Sequence, residues 1–390
     1  MIAVIADDFT GAAEIGGLAF SFGYKVAIIT NFNKVPQVDV LVVATDLRSC
    51  TAEFAAKESE RITSKLLELN PELIYKKIDS VLRGNIVAEL NSQMRISKKT
   101  RGLVIPANPL LNRTIRNGVY YIDEKPLIES FFSKDNSFKN KSSNVVEILQ
   151  KDGVTEIVNL SHDEVLPESG LIIGNVKNQE DLSQWVKKID KNTAISGASG
   201  FFEEILKSKS SLKNTFNANG FNKESKAIFI CGSNFPLSKK AVIDAKERGV
   251  CVSCMPDGIY FPQSVKPKLI DDWAIDIINM FENNNQVIVS VLQKPTEHSI
   301  SSAELKATLG KVVKKVIDKI IINEILIEGG STAQSLVKAL SFDTFFPIQA
   351  IAPGVTRMKI GSKSHASLTM KPGSYKWPKS IWKFNKYEKK

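Results

Sequence analysis

The sequence has few of the residues that build metal centres. Its 390 residues include four cysteines and three histidines. Only Cys251 and Cys254 form a C-x-x-C pair, and there is no second pair to complete a four-ligand zinc site. We therefore interpret the cysteines as small packing residues.

Long apolar segments are absent as well. No run approaches the ~20 apolar residues that cross a bilayer. The opening residues MIAVIA lead directly into acidic residues, with no basic start and no small-residue cleavage site. These absences predict a cytoplasmic protein that has no membrane partner.

The formal net charge of +10 is unevenly distributed. Residues 376–390 carry six lysines and one glutamate, which is half of the excess, and we interpret them as a solvated tail. No nucleic-acid-binding module is recognisable, so we predict no nucleic-acid partner. The remaining positive charge favours a small anionic ligand. The oligomeric state stays open, with a homodimer as the commonest arrangement.

Short β-branched runs alternate with helical patterns along the chain. The runs IAVIA, KVAII, VLVVAT, LIYKKI and GLVIP predict strands in the first half. A helix is predicted for TAEFAAKESERITSKLLEL, in which Phe54, Ile62, Leu66 and Leu69 lie near helical spacing. The same alternation restarts at AIFICG and continues through QVIVSVL and EILIE. This pattern predicts an α/β fold with mostly parallel sheets.

A segment rich in lysine, serine and asparagine interrupts the alternation at residues 207–226. We predict that it links two α/β domains, at residues 1–206 and 227–390. The active site is then expected in the cleft between the two domains.

Polar side chains lie at the ends of four predicted strands in the first half. Ligands of open parallel sheets bind beyond the carboxyl ends of the strands. Carboxylates accept hydrogen bonds from hydroxyl groups and arginine binds carboxylates, so the combination predicts a site for a small polyhydroxylated anion. The residues are Asp7, Asp8 and Thr10; Arg48 and Ser49; Lys77, Asp79, Ser80, Arg83 and Asn85; and Asn108 and Arg113.

Each of these positions also has a structural interpretation. Asp8 or Thr10 is placed to cap the helix predicted over residues 11–22. Asp79 is placed to cap the next helix, or to pair with Arg83 at the surface. One such residue would not indicate a site, but charged or polar residues at four consecutive strand ends do.

The second half contains several glycine-containing turns that follow predicted strands. Glycine lets the backbone approach a ligand closely, and a helix N-terminus favours an anion. Neither a GK[ST] phosphate loop nor a G-x-G-x-x-G fingerprint is present. The turns contain Gly232 and Ser233; Gly329, Gly330, Ser331 and Thr332; Pro353 and Gly354; and Lys371 and Gly373. These turns predict a phosphate-rich ligand such as a nucleotide. A nucleotide site in the second half, combined with the anion site in the first half, predicts a small-molecule kinase.

The motifs ADDFTGAAE, TDLRS, KKIDSVLRGN, IPANPLLNRTIRNGVYYID, CGSNFP, EGGSTAQSLVKAL, APGVTR and LTMKPGS resemble, in this order, those of the four-carbon acid sugar kinase family. The resemblance runs over nearly the whole chain. It implies an N-terminal domain that binds a sugar acid and a C-terminal domain that binds ATP. It also implies phosphorylation of the terminal 4-hydroxyl of threonate, erythronate or 3-oxo-tetronate.

The resemblance and the residue chemistry together assign roles. We predict that Asp7, Asp8 or Asp79 is the general base. The predicted substrate-binding residues are Thr10, Arg48, Ser49, Lys77, Ser80, Arg83, Asn85 and Arg113. The glycine turns of the second half are predicted to bind ATP. Mg²⁺ is expected because it screens the phosphate charges, although the sequence does not identify its ligands.

The chain departs from the family motifs at three places. Asn112 stands where many members have a glycine before Arg113, and Ser331 replaces an acidic residue after the two glycines. Pro372, which fixes φ and has no backbone donor, lies in the last glycine motif. The alternative function is therefore a non-catalytic tetronate-binding sensor or a degenerate kinase. Which tetronate stereoisomer is used stays open.

Overall fold

The structure is a computed structural model that describes residues 1–134, 138, 140–150, 156–210, 215–217, 219–222, 224–233, 235–261, 267–361, 365–373 and 375–384. The chain divides into two compact units. We call Met1–Asn214 the N-terminal unit and Thr215–Lys390 the C-terminal unit. Both are α/β units whose sheets are mostly parallel, as the alternating pattern predicted.

The N-terminal unit is built on a parallel sheet with the strand order β2-β3-β1-β4-β11-β5-β10-β9. A smaller antiparallel sheet has the order β6-β7-β8. The strands are β1 (Ile2–Ala6), β2 (Val26–Ile29), β3 (Val40–Ala44), β4 (Leu73–Lys77), β5 (Arg101–Ile105), β6 (Arg113–Arg116), β7 (Val119–Ile122), β8 (Lys125–Pro126), β9 (Ile157–Leu160), β10 (Gly170–Gly174) and β11 (Thr193–Gly197).

Helices connect and cover these strands. They are α1 (Phe9–Ser21), α2 (Ala52–Leu67), α3 (Ile86–Ser97), α4 (Val145–Leu149), α5 (Gln179–Lys187) and α6 (Ser199–Lys209). Every residue of β1 and β3 is buried, because helices cover both faces of a parallel sheet. Helix α2 buries Ile62 and Leu66 but leaves Phe54 55% exposed, so helical spacing alone overstated the width of its apolar face.

The C-terminal unit contains a sheet with the strand order β13-β14-β12-β15-β18-β17-β16. Its first five strands are parallel, whereas β17 runs antiparallel to both of its neighbours. The strands are β12 (Ala227–Cys231), β13 (Val252–Cys254), β14 (Gln286–Ser290), β15 (Glu324–Glu328), β16 (Thr344–Ala352), β17 (Val355–Ile360) and β18 (Ser367–Lys371). The helices are α7 (Pro236–Glu247), α8 (Asp257–Tyr260), α9 (Pro267–Asn283), α10 (Ser302–Ile317) and α11 (Gly330–Ala339).

The start of the basic C-terminal segment is packed rather than solvated. Ile381 and Trp382 are buried, and the Trp382 ring lies edge-on to Phe229, with the ring centroids 5.6 Å apart. The interpretation of this segment as a solvated tail was therefore wrong for the apolar residues between 376 and 384, whose side chains complete the core beside β12. Lys376, Lys379 and Lys383 are exposed. Residues 385–390 lie outside the described part of the chain.

Two further findings concern the cysteines and the apolar segments. All four cysteines are free thiols. Within the residues that the structure describes, no helix is both long and apolar enough to cross a bilayer.

Candidate functional site

The carboxyl ends of β1, β3 and β4 lie side by side. Ala6 is in register with Ala44 on one side and with Lys77 on the other. The side chains that follow these strands therefore meet at one edge of the sheet. We call this edge, with Asp7, Asp8, Arg48, Lys77 and Asp79, the charged edge.

Arg48 joins three carboxylates of the charged edge. Its Nε and Nη2 atoms donate to the two oxygens of Asp7 at 2.8 and 2.9 Å. Its Nη1 atom donates to Asp8 Oδ2 at 2.7 Å and lies 3.5 Å from Asp79 Oδ1. Arg48 is held by the 3₁₀ turn Leu47–Ser49, which follows β3 after Thr45 and Asp46. The repulsion between adjacent aspartates is thus offset by a guanidinium that contacts both of them.

Asp79 has its own arginine. Arg83 Nε and Nη2 donate to the two Asp79 oxygens, each at 2.8 Å, and Oδ2 also accepts from the backbone N–H of Val81 and Arg83. Asp79 is 5% exposed, so this is a buried pair and not the surface pair considered from the sequence. The N-cap position of α3 is occupied by Asn85. Asp79 therefore closes a turn and does not cap α3.

The aspartates differ in how they hold a proton. Burial raises the pKa of Asp8, Arg48 opposes this shift and Asp7 adds to it. Burial also disfavours the charged form of Asp79, but Arg83 and Arg48 more than offset that effect and hold its pKa well below the ordinary range. Burial opposes the charge of Arg48, yet Asp7, Asp8 and Asp79 raise its pKa overall. Asp8 is also the N-cap of α1, since its Oδ1 accepts from Gly11 N at 2.6 Å.

Lys77 reaches the same edge from the end of β4. Its Nζ donates to Ile78 O at 2.9 Å and lies 3.6 Å from Glu14 Oε2 on α1. Gly11 makes room for this approach. A Cβ atom at Gly11 would be 3.0 Å from Asp8 Oδ1 and 3.2 Å from Lys77 Nζ.

The other predicted substrate residues occupy different surroundings. Arg113 donates to the Ser80 hydroxyl and stacks over the Phe132 ring, at 5.3 Å from its centroid. Thr10 Oγ1 is buried and has no hydrogen-bond partner among the described residues.

Two predicted residues bond to groups outside the charged edge. Asn85 Nδ2 donates to Leu47 O and Cys50 O, so it ties the Arg48 turn to α3. Ser49 is exposed and donates to Asp46 at 3.5 Å.

In the C-terminal unit, β12, β15 and β18 also end together, with Cys231, Glu328 and Lys371 in register. We call this edge, with the turns that follow the three strands, the glycine edge. Lys371 Nζ lies 3.1 Å from Glu328 Oε2, and both side chains are at most 2% exposed. Burial lowers the pKa of Lys371, and the charge of Glu328 offsets part of the shift.

The turn after β15 leads straight into α11. Gly329 has φ +91°, which favours glycine, and nothing lies within 4 Å of the place a Cβ would take. Gly330 is the first residue of α11, Ser331 is exposed and Thr332 is buried against Gly232. The first N–H groups of the helix therefore stand at this edge.

The remaining predicted residues of this half lie close by. Gly354, in the turn between β16 and β17, packs against the Tyr375 ring, and Pro353 precedes it. Gly373 packs against the Ser233 hydroxyl. Ser374 lies outside the described residues.

Several side chains at the two edges were not selected from the sequence. They are Glu14 and Ser199 at the charged edge and Glu328 at the glycine edge. Glu14 closes the motif ADDFTGAAE, and Glu328 directly precedes the two glycines, so the motif residues themselves held a signal. No sequence motif pointed to Ser199, because it begins α6, far from Glu14 in the chain.

Neither edge is a preformed metal site. Among the described residues, no group of three or more His, Cys, Asp or Glu side chains is arranged to hold a metal ion. Magnesium keeps several waters and is bound largely through substrate phosphates, so such a site needs few protein ligands.

Two protein-family models match this chain. The "Sugar-binding N-terminal domain" matches residues 2–205, and the "Nucleotide-binding C-terminal domain" matches residues 265–375. The first match contains the whole charged edge, and the second contains the turn Gly329–Gly330 and Lys371.

Two curated relatives are named as kinases. The chain is 36% identical to the D-threonate kinase of Salmonella typhimurium over 149 residues, which is 37% of this chain and 35% of that protein. It is 23% identical to the 3-oxo-tetronate kinase of Pectobacterium atrosepticum over 413 residues, which is 96% of each chain.

Two solved structures share the fold. A Salmonella typhimurium protein provisionally described as a tRNA synthase aligns with a TM-score of 0.79 and 17% identity, over 99% of this chain and 98% of its own. A Haemophilus influenzae protein of the DUF1537 family aligns with a TM-score of 0.73 and 19% identity, over 98% of both chains. Because the sugar-binding family model matches residues 2–205 of 390 and the nucleotide-binding model follows it, the chain belongs to the four-carbon acid sugar kinase family.

Proposed function

We propose that the chain transfers the γ-phosphoryl group of ATP to the terminal 4-hydroxyl of threonate, erythronate or 3-oxo-tetronate. The observation that carries this proposal is the state of Asp8, a partly exposed carboxylate with a raised pKa beside Arg48 and Lys77. The names of the curated relatives and the two family models support the same chemistry.

Asp8 is our choice for the general base. A base must be able to accept a proton near neutral pH, which a raised pKa favours. One guanidinium binds both oxygens of Asp7 and another binds both oxygens of Asp79, whereas the two oxygens of Asp8 accept separately from Arg48 and from the backbone N–H of Gly11. The Asp8 side chain is 15% exposed, against 3% for Asp7 and 7% for Asp79. Asp8 then orients the 4-hydroxyl and accepts its proton during phosphoryl transfer.

Lys77 is our choice for the group that binds the substrate carboxylate. Arg48 and Arg83 are already committed to the protein's own aspartates, and Arg113 is bonded to Ser80. Lys77 has three N–H donors, and its nearest carboxylate is 3.6 Å away. An ammonium that is only loosely paired can bind an incoming carboxylate.

The glycine edge is our choice for the nucleotide. The N-terminus of α11 and the open backbone at Gly329 suit phosphate oxygens, which accept hydrogen bonds from backbone N–H groups. Bound ATP supplies the phosphoryl group, and Mg²⁺ neutralises the phosphate charge. We assign no Mg²⁺ ligand to this chain.

A binding protein without turnover is the second candidate function. Lys371, which was predicted to bind the nucleotide, is 1% exposed and is neutralised by Glu328. Pro372 also removes one backbone donor from the neighbouring turn. Both observations favour weaker phosphate binding than a sugar-acid kinase needs.

Purified protein, ATP and Mg²⁺ with D-threonate, L-threonate, D-erythronate and the 3-oxo-tetronates test these alternatives. ADP formation with one acid, lost in Asp8→Asn, is the expected result. A rise in melting temperature with an acid, but no ADP formation, would establish the binding protein instead. If no acid changes either quantity, the proposed substrate class is wrong.

A further inference from the structure

A row of four polar side chains links the carboxyl ends of β4 and β5 and the interior of α1 to the start of α6. Lys77 Nζ lies 3.6 Å from Glu14 Oε2, and Glu14 Oε1 accepts from the Ser199 hydroxyl at 2.8 Å. Ser199 Oγ in turn accepts from Asn108 Nδ2 at 3.4 Å. We call this row the Lys77 relay. Asn108 and Ser199 are at most 9% exposed, and the Glu14 side chain is 16% exposed.

The donors and acceptors of the Lys77 relay can be assigned in one direction only. A Glu14 carboxylate beside an ammonium only accepts hydrogen bonds, so the single hydroxyl proton of Ser199 points toward Glu14. The lone pairs of Ser199 then face the amide nitrogen of Asn108. Asn108 itself is fixed by two backbone hydrogen bonds with Arg113, at 2.9 and 3.1 Å.

The distances show which partner holds Glu14 more tightly. The bond to Ser199 has the length of a strong hydrogen bond, whereas the 3.6 Å separation from Lys77 exceeds the usual hydrogen-bond range of about 2.7–3.2 Å. The contact with Ser199 is therefore the shorter of the two contacts of the Glu14 carboxylate. Ile78 O, at 2.9 Å, is the other acceptor of Lys77 among the described residues.

We propose that Ser199 is a positioning residue which holds Glu14 back, so that the carboxylate of a sugar acid replaces Glu14 as the partner of Lys77. Glu14 supplies the countercharge in the free protein, because a buried ammonium without one is costly. Ser199 keeps the Glu14 carboxylate from binding Lys77 so tightly that the substrate carboxylate cannot replace it. This inference rests on the proposed function for the choice of ligand.

The proposal predicts opposite effects at two neighbouring positions. Ser199→Ala releases Glu14 to close on Lys77, so the dissociation constant for D-threonate rises about tenfold. Glu14→Gln removes the competing charge, so D-threonate binds at least as tightly as to wild type. In the double variant Ser199→Ala/Glu14→Gln, affinity returns to that of Glu14→Gln, because the released group is no longer charged.

Calorimetric titration with D-threonate and with its neutral amide, in the absence of ATP, tests this directly. The acid should bind more tightly than the amide, and Lys77→Met should remove that difference. Ser208→Ala is the matched control, since Ser208 lies on the same helix and, among the described residues, its hydroxyl bonds only to Ile205 O, at 2.8 Å. Urea unfolding of each variant verifies that it folds.

The outcomes separate this inference from the proposed function. If Ser199→Ala and Glu14→Gln both weaken binding, or if neither changes it, Ser199 has no positioning role, whether or not the protein forms ADP. If the opposite effects on binding appear without ADP formation, the relay stands and the kinase proposal falls. If none of D-threonate, L-threonate, D-erythronate and the 3-oxo-tetronates binds, both are wrong.

Discussion

The charged edge presents mainly side chains, whereas the glycine edge presents mainly backbone. At the charged edge, side chains of opposite sign contact one another, and Arg48 alone reaches three carboxylates. At the glycine edge, the space beside the Gly329 backbone is open and the described charges reduce to one buried pair, Lys371 and Glu328. Both are the carboxyl ends of parallel strands.

This difference teaches that the same architecture can serve two kinds of recognition. Hydroxyl and carboxylate groups are recognised by side chains, whose positions must be fixed by other side chains. Phosphates are recognised by backbone N–H groups, for which small residues and a helix N-terminus are sufficient. We therefore expect charge substitutions to act mainly at the first edge and backbone substitutions at the second.

The largest effect is expected for Asp8→Asn. Loss of the general base should lower kcat by about a hundredfold to ten-thousandfold. In wild type, the raised pKa of Asp8 means that activity falls as the pH drops through that pKa, since the base must be unprotonated. Steady-state rates between pH 5 and pH 9 measure both effects.

Stability should move in opposite directions at Asp8 and Asp79. Ionisation of a group with a raised pKa costs stability as the pH rises, so Asp8→Asn should stabilise the fold at pH 7. The pKa of Asp79 is lowered, so its contribution is present at pH 7 and is lost in acid below about pH 4. Asp79→Asn should therefore destabilise the protein at pH 7. Melting temperatures that shift in the same direction for both variants would contradict this assignment.

The next largest effect is expected for Arg48→Met. Its removal leaves Asp7, Asp8 and Asp79 close together without their shared cation, which should cost about 3–5 kcal/mol of unfolding free energy. Arg61→Met is the matched control, because Arg61 makes a similar two-bond contact with Glu58 but is 53% exposed. That change should cost less than about 1 kcal/mol. Equal costs in urea unfolding would mean that burial does not distinguish the two pairs.

At the glycine edge, Lys371→Met should cost about 3 kcal/mol, because it leaves Glu328 buried without a partner. Adding Glu328→Gln should recover most of this loss, since the remaining buried charge is removed. If Lys371 only positions the turns, the double variant should bind ATP within a few-fold of wild type. A complete loss of ATP binding in that variant would instead show that Lys371 contacts the phosphates.

The smallest effect is expected for Gly329→Ala. A left-handed φ should cost about 1–2 kcal/mol for alanine, although the Cβ has room. Gly249→Ala is the control, since Gly249 has φ +80° and equally open space but lies away from the glycine edge. Only Gly329→Ala should also weaken ATP binding, by several-fold in a titration. Equal ATP affinities in the two variants would remove Gly329 from the phosphate site.

The strands of the parallel sheets could be predicted well from the sequence. IAVIA and AIFIC are continuous apolar runs because both faces of their sheets are covered. The antiparallel strands β16 and β17 carried a weaker signal, since β16 contains Pro347 and its pairing is irregular beyond that residue. The packing of Trp382 was missed because charge in the tail outweighed its aromatic residues in the interpretation.

The sequence by itself determined which chemical groups stand at the strand ends, because parallel strands bring their carboxyl ends to one edge whatever their spacing along the chain. Only the tertiary structure decided how those groups pair. Arg48 is about forty residues from Asp7 and Asp8, and Ser199 is 185 residues from Glu14. A hydrogen bond forms or fails on differences of a few tenths of an ångström in the donor–acceptor distance. The packing of α1, β4 and α6, rather than residue type, sets these distances.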